Sequence, residues 1–492
     1  MLPEQLLSGA AERGIQLEMG VILCTNIDTN SVWCLWVSHL SIIQTGIVSG
    51  DLPEQGIKNY DDIHNQEEFR RFDGHNANSL PIVWSSIEAW PSTLIDVDYS
   101  YNESYNLIED VKITKDTLEE ISEMPNKGEV GYYRGVIYSL RRKPIKVIVF
   151  LNHFTLPYWL HDPIEARERA LTNKRNGWVN PRSVNHFAKY AAYIAYKFGD
   201  IEDMWSTFFE PILVVELGYL AGYSPLAPGV LNPEAAKLAI LHMINAHALA
   251  YRQIKKFDTE KADKDSLEPA EEGIIYNNIG VRYPNHGNDS KDVKAAENDN
   301  NFHSGLFFDR IHIGKLNIEF DRERFIDAAY LKPNDWIGVN YYTREVVTYQ
   351  EPMFPSIPLI TFKGVQGYGY ACRPGTLSKD DRPVSDIGWE LYPEGMYDSI
   401  VYYLRAYYIA THIKMREYAF DDGYDDKGYF HCGLTDYYEW AVAFSKRYAL
   451  YELNVITKQR IRSEMSVSII RVIVGNNAVS NLIEEEKLSR II

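Results

Sequence analysis

Short apolar runs separated by helix-like stretches recur along most of this 492-residue chain. Such alternation argues for an α/β protein built on a parallel sheet. Candidate strands are Leu7–Ala11, Ser79–Trp84, Lys146–Phe150, Asp203–Phe209, Gly273–Ile279, Trp336–Asn340 and Lys427–His431. Helical patterns lie between several of them. One runs from Pro181 to Phe198, with Asn180 placed to cap it and Pro181 suited to its first position. Another runs from Pro233 to Ile254. Pro81 falls inside a candidate strand, where a missing backbone donor should disturb central pairing.

Length alone allows two or three domains, yet a barrel with long loops reaches this size as one. No repeat or low-complexity linker divides the chain, and the charged stretch Lys255 to Glu272 reads as a solvated helix and loop. A single domain over 1–492 is expected. The run from Gln350 to Arg382, rich in Pro, Gly and aromatic residues, reads as a long loop over one barrel mouth.

Charge excludes some partners. Lys plus Arg number 50 against 68 Asp plus Glu, a formal net charge of −18. Non-specific attraction to nucleic acid or to an anionic membrane is therefore not expected. No window approaches the roughly 18 apolar residues of a transmembrane helix. The start, Met1-Leu2-Pro3-Glu4-Gln5, has no basic segment leading into an apolar run, so a cytoplasmic protein is expected. Cys24, Cys34, Cys372 and Cys432 are too few and scattered for a disulfide framework. His242 and His247 diverge on a helix, His431 and Cys432 begin no ligand spacing, and no phosphate-binding glycine loop occurs. Neither a metal nor another cofactor is expected.

The chemistry concentrates at Trp205-Ser206-Thr207-Phe208-Phe209-Glu210-Pro211. A glutamate ends a largely apolar run and a proline stops the pairing at once. A carboxyl walled by Trp and Phe tends to a raised pKa, because burial disfavours its charged form. That suits a general acid near neutral pH. Taken alone, the segment fits an ion-paired or exposed glutamate as well. Further motifs bear on it: Leu151-Asn152-His153-Phe154 with Leu156-Pro157-Tyr158-Trp159, Ser385 to Gly395, and Asn340-Tyr341-Tyr342-Thr343.

Together these stretches resemble family 1 glycoside hydrolases, specifically the archaeal β-glycosidase and β-mannosidase branch from hyperthermophiles. The resemblance runs from about Gly14 to Val474 and is nearly word for word between Asp96 and Ile400. It implies a (β/α)8 TIM barrel that hydrolyses β-glycosides with retention through two glutamates, acting on small carbohydrates or aryl glycosides. It also implies that Glu210 is the acid/base, with Gln16, His153, Glu439 and Trp440 contacting sugar. Asn340 and Tyr342 alternate on one strand and so share a face; in the family they orient the nucleophile. Relatives of this branch are commonly tetrameric, which makes a homo-oligomer the corresponding expectation.

Against the family pattern, polar groups are missing around one pocket. The nucleophile belongs to a Thr-Glu-Asn-Gly motif at a strand end, but Pro393 to Phe420 reads as one helical pattern and about twenty residues are absent. Strand 7 is thus expected to be missing or distorted, and Tyr392 to Phe420 mostly helical. Glu297-Asn298, in an acidic stretch far from a strand end, is no substitute. Phe209 replaces an Asn that binds the sugar 2-hydroxyl, Ser79 an Arg beside the nucleophile, Phe150 a polar residue and Cys432 a Trp. Asn340 and Tyr342 are then left with nothing to hold. Three readings follow: a retaining β-glycosidase with severely reduced or no hydrolysis, a sugar-binding pseudoenzyme, or a barrel scaffold for a flat aromatic ligand.

Overall fold

The computed structural model describes residues 18–22, 36, 39–45, 76–88, 94–143, 145–222, 224, 226–263, 268–277, 282–321, 325–328, 334–396, 398–399, 428–432, 436, 451–457 and 459–462. Seven strands form its main sheet: β1 (Glu18–Ile22), β2 (Ala77–Pro81), β3 (Lys146–Asn152), β4 (Met204–Phe209), β5 (Glu271–Asn277), β6 (Trp336–Asn340) and β7 (Gly428–Cys432). Their order is β6-β5-β4-β3-β2-β1-β7, and every pairing is parallel. Strand order follows chain order from β1 to β6, and β7 returns to lie beside β1. This is the winding of a (β/α)8 TIM barrel.

Among the described residues β6 pairs only with β5, and β7 only with β1. The chain between them is helical at Glu394–Met396 and again at 398–399. The rest of the expected Tyr392–Phe420 helix, and with it the question of a missing strand, lies outside the described residues. Leu7–Ala11 lies outside them too, and the strand that pairs with β2 is Glu18–Ile22.

The effect expected of Pro81 is corrected by its position. It is the last residue of β2, opposite Phe150, while β1 pairs only with Ala77–Ser79. The proline therefore removes no donor from the middle of the sheet, and Ile82 N–H resumes the ladder by donating to Phe150 O at 3.0 Å. Beyond it the chain turns into a short helix, Trp84–Ile87, rather than continuing as strand.

Two helices back β3 to β5: α1 (Arg182–Phe198) and, after the short α2 (Pro211–Val215), the long α3 (Pro233–Phe257). Asn180 caps α1 from one residue further out than a standard cap, accepting Arg182 N–H at 3.1 Å. Asn232 caps α3 through Ala235 N–H. The α1 face bearing Val184, Phe187, Ala188 and Ala191 is fully buried, and Phe187 stacks on Phe208 of β4 at 4.9 Å. Each such aromatic or branched side chain contributes about 1.5–3 kcal/mol by leaving water. Where α3 ends, Asp258 turns inward and accepts Trp205 Nε1–H at 2.8 Å.

Alternation sorts the strands into two faces. Val147, Val149 and Leu151 of β3, and Ile337 and Val339 of β6, pack in the outer core with the helices. Phe150, Phe209 and Ile275 form a separate apolar cluster, with Trp336 and Phe430 against it. Gly273 is required here: a Cβ would lie 2.3 Å from Trp336 O and 2.4 Å from its ring.

Candidate functional site

The residues of interest gather at the C-terminal ends of the strands, where barrel enzymes place their chemistry. Glu210 follows β4 directly, and a bulge aims it. Ser206 pairs with Gly273 and Phe209 with Ile275, so two residues of β4 oppose one of β5. The Ser206 hydroxyl fills the resulting gap by accepting Ile275 N–H at 3.2 Å and donating to Phe208 O at 2.9 Å. Such bulges bend a strand and redirect its side chains. Glu210 then takes left-handed backbone angles, φ 51° and ψ 53°, and donates its own N–H to Ile275 O at 2.8 Å. A glutamate adopts this conformation only at a cost of about 1–3 kcal/mol, typical of functional positions.

The side chain is buried. Asn340 Nδ2–H donates to Glu210 Oε1 at 2.6 Å and Tyr342 O–H donates to the same oxygen at 2.8 Å. Asn277, the last residue of β5, is a third polar group acting on the carboxyl. Burial pushes the Glu210 carboxyl above the ordinary carboxylate range, against the opposing pull of Asn340, Tyr342, Asn277 and the nearby His303. With two donors on Oε1, a proton on this group belongs on Oε2. Asn340 and Tyr342 do share a face, as their spacing predicts. The expectation that they hold nothing is corrected: both end on Glu210.

His153 sits one residue past β3, its ring 4.5 Å from Phe209 and 5.5 Å from Phe150. Burial pushes its pKa down to about 3, so the ring is neutral at ordinary pH. The floor beneath Glu210 is therefore aromatic and uncharged. Gln16, Glu439 and Trp440 lie outside the described residues.

The described carboxylates nearby already have partners. Glu390 receives Arg344 through both oxygens at 2.8 Å, with Gly369 N–H on Oε2. Although burial opposes it, Arg344 and Gly369 hold this carboxyl below the ordinary range. Buried Arg282 lies 3.2 Å from Asp299 and 3.7 Å from Glu345. Glu216 meets His303 at 2.7 Å. Glu297 is half exposed on a surface helix near Lys294. Among the described residues, no group of three or more His, Cys, Asp or Glu side chains is arranged to hold a metal ion.

Asn277 and His303, which act on the Glu210 carboxyl, and Glu216, which meets His303, have no place among the residues expected at the site. The first has a signal, a polar residue closing an apolar strand run. The other two lie in helical segments, where nothing in the pattern points toward the barrel axis.

Comparison with known proteins gives a consistent picture. The model of glycosyl hydrolase family 1 matches residues 120–407 and, as a second segment, 401–476. The β-galactosidase of Pyrococcus woesei is 73% identical over 508 residues, covering 99% of this chain and all of that protein. Those 508 aligned positions exceed the 492 residues here by 16, so at least that many positions of the relative face a gap. The crystal structure of the β-glycosidase from Thermosphaera aggregans superposes with a TM-score of 0.83 at 29% identity, covering 97% of this chain and 98% of that one. A β-glucosidase mutant derived from a hyperthermophilic tetrameric structure gives 0.80 at 28% identity, covering 97% and 98%.

Proposed function

The chain belongs to glycosyl hydrolase family 1, a family of retaining β-glycosidases, and on that premise we propose that its own hydrolysis of β-glycosides is severely reduced or absent. The substrates to which the fold is suited are small β-linked galactosides, glucosides or mannosides, bound within a single barrel domain. Retention needs two carboxyl groups about 5–5.5 Å apart, one to protonate the leaving oxygen and one to attack the sugar carbon. Glu210 fills the first role. One observation carries the reading: the donors of Asn340 and Tyr342, which the family aims at the nucleophile, both end on Glu210. The pairing of Glu390 with Arg344, and the gap against the Pyrococcus relative, support it too.

Turnover of nitrophenyl β-galactoside, β-glucoside and β-mannoside tests this, with Glu210→Gln as control. Loss of groups that act as a unit in covalent catalysis costs up to about 10⁶-fold in kcat. The expected result is turnover that Glu210→Gln barely changes. Robust turnover abolished by Glu210→Gln would mean that another carboxylate attacks, and would overturn the proposal.

A second reading is favoured by the floor of Phe150, Phe209 and Ile275 beside neutral His153. Such a pocket suits flat or amphipathic ligands better than a free hexose. Calorimetric titration should then show weak glucose binding and tighter binding of an aryl glycoside. Equal affinity would argue for a surviving sugar subsite. A cytoplasmic homo-oligomer, in line with the tetrameric origin of one structural neighbour, completes the proposal.

A further inference from the structure

Asn340 and Tyr342 reach the same oxygen of Glu210, but they are held in different ways. Asn340 is the last residue of β6 and pairs with Asn277 in the sheet. Tyr342 lies two residues further on, where 341–344 is irregular backbone. A hydroxyl carried on a loop keeps its aim only if something besides the sheet fixes that loop.

The end of the long loop over the barrel mouth supplies the support. Glu390, whose side chain is completely buried, grips the two residues that follow Tyr342. Thr343 Oγ1–H donates to the Glu390 main-chain carbonyl at 2.7 Å. Arg344 donates Nε–H to Oε2 and Nη2–H to Oε1 of the carboxylate, each at 2.8 Å. Such a two-point fork fixes direction as well as distance. Gly369 closes the grip, donating its N–H to Oε2 at 2.9 Å and accepting Glu390 N–H at 3.0 Å. It lies so close that a Cβ there would sit 2.0 Å from the Arg344 carbonyl oxygen. Asp380 meets Arg344 from its other side.

The residue before Glu390 touches Tyr342 itself. The Trp389 ring packs on the Tyr342 ring, centroids 5.4 Å apart, and Tyr370 backs it edge-on at 5.0 Å. Ser385 holds the Trp389 backbone, donating N–H to its carbonyl at 2.8 Å and accepting its N–H on Oγ at 3.0 Å. Residues 389 and 390 thus hold three successive residues, Tyr342, Thr343 and Arg344, and the first of these donates to Glu210.

We infer that Glu390 is a positioning residue for the acid/base: by gripping Thr343 and Arg344, and setting Trp389 on the Tyr342 ring, it keeps the Tyr342 hydroxyl on Glu210 Oε1. This rests on Glu210 being the acid/base, but its test does not depend on turnover. A donor held on a carboxyl favours the ionised form, so a loosened Tyr342 lets Glu210 bind its proton more tightly. Glu390→Asp keeps the charge in place to within a methylene, yet cannot reach the Arg344 fork and Gly369 together.

Infrared titration of the full-length protein reads the outcome, the Glu210 carboxylic-acid band being the one that Glu210→Gln deletes. In Glu390→Asp its midpoint should rise by about half a pH unit, a roughly threefold gain in proton affinity. Made in the Tyr342→Phe background, the same change should leave the midpoint where Tyr342→Phe puts it, because the hydroxyl it guides is gone. A merely structural Glu390 would lower the melting temperature and leave the midpoint in place, or move it equally in both backgrounds. Either result in a folded Glu390→Asp overturns the inference. Should that variant fail to fold, Arg344→Lys decides, since lysine keeps the positive charge and loses the fork. An unmoved midpoint then overturns the inference, and a rise that Tyr342→Phe abolishes supports it. Hydrolysis assays bear on the proposed function alone, so failure of either idea is told apart from failure of the other.

Discussion

Asp258 should make the protein lose stability as pH rises through the neutral range, and Asp258→Asn should remove that loss. The carboxyl ends α3 and is held by Trp205 Nε1, while its Oδ1 has no hydrogen-bond partner. Burial is the main force on it, with Asp203 and Glu260 adding like charge, and its pKa is pushed up to about 8. An unfolded aspartate titrates near 3.9. With the folded value above the unfolded one, the contribution is fully present below about pH 4 and is lost as pH climbs toward 8. In between, the folded state holds one more proton than the unfolded chain, a slope of about 1.4 kcal/mol per pH unit. From pH 5 to pH 7 that is nearly 3 kcal/mol, reduced to about 2 by the high effective dielectric typical of such sites. Asparagine keeps an acceptor for Trp205 and has no proton to lose. Urea unfolding of both proteins at pH 5, 6 and 7 should show the variant gaining about 2 kcal/mol on wild type over that span. Parallel pH dependences would refute the reasoning, because the other buried acids are common to both proteins.

Two further outcomes follow from the site and its support. Gly273→Ala places a Cβ against Trp336 and should cost about 1–3 kcal/mol, seen as a lower thermal midpoint; an unchanged melt would mean that β6 yields freely. Tyr342→Phe strips one of two donors from Glu210 Oε1. Since a donor favours the carboxylate, its loss should raise the infrared midpoint of Glu210 by about one pH unit, and a midpoint that stays or falls would contradict the hydrogen bond.

Most of the strand ends were legible because apolar runs closing on a polar residue or a proline leave a sharp mark. Lys146, Trp336 and the Phe209–Glu210 boundary came directly from that pattern. Asn232 and Pro233 likewise mark the start of a helix by capping chemistry that needs no tertiary information. The expected strand Leu7–Ala11 lies outside the described residues, while Glu18–Ile22, which pairs with β2, is a short run broken by a glycine that leaves little mark in the sequence. Pro81 was misjudged because its effect depends on where the neighbouring strand stops. At the site, period-two alternation tells which residues share a face but not what lies across the barrel. Hence Asn340 and Tyr342 were paired correctly with each other, while their common partner Glu210, 130 and 132 residues away, was not foreseen. His303 and Glu216 were invisible for a related reason: π-helical turns break the very periodicity by which helix faces are read.

The left-handed backbone at Glu210 bears on how this sequence would age. Glycine takes those angles without strain and asparagine with little, so for folding alone glutamate is a poor occupant of the position. Its side chain also keeps a carboxyl where burial resists charge. Once turnover no longer matters to the organism, what still resists substitution there is the pair of donors from Asn340 and Tyr342, which would lose their acceptor. Across descendants of such a protein, Glu210 should drift together with Asn340 and Tyr342 rather than alone. Gly273, clamped beneath an indole, should be among the last.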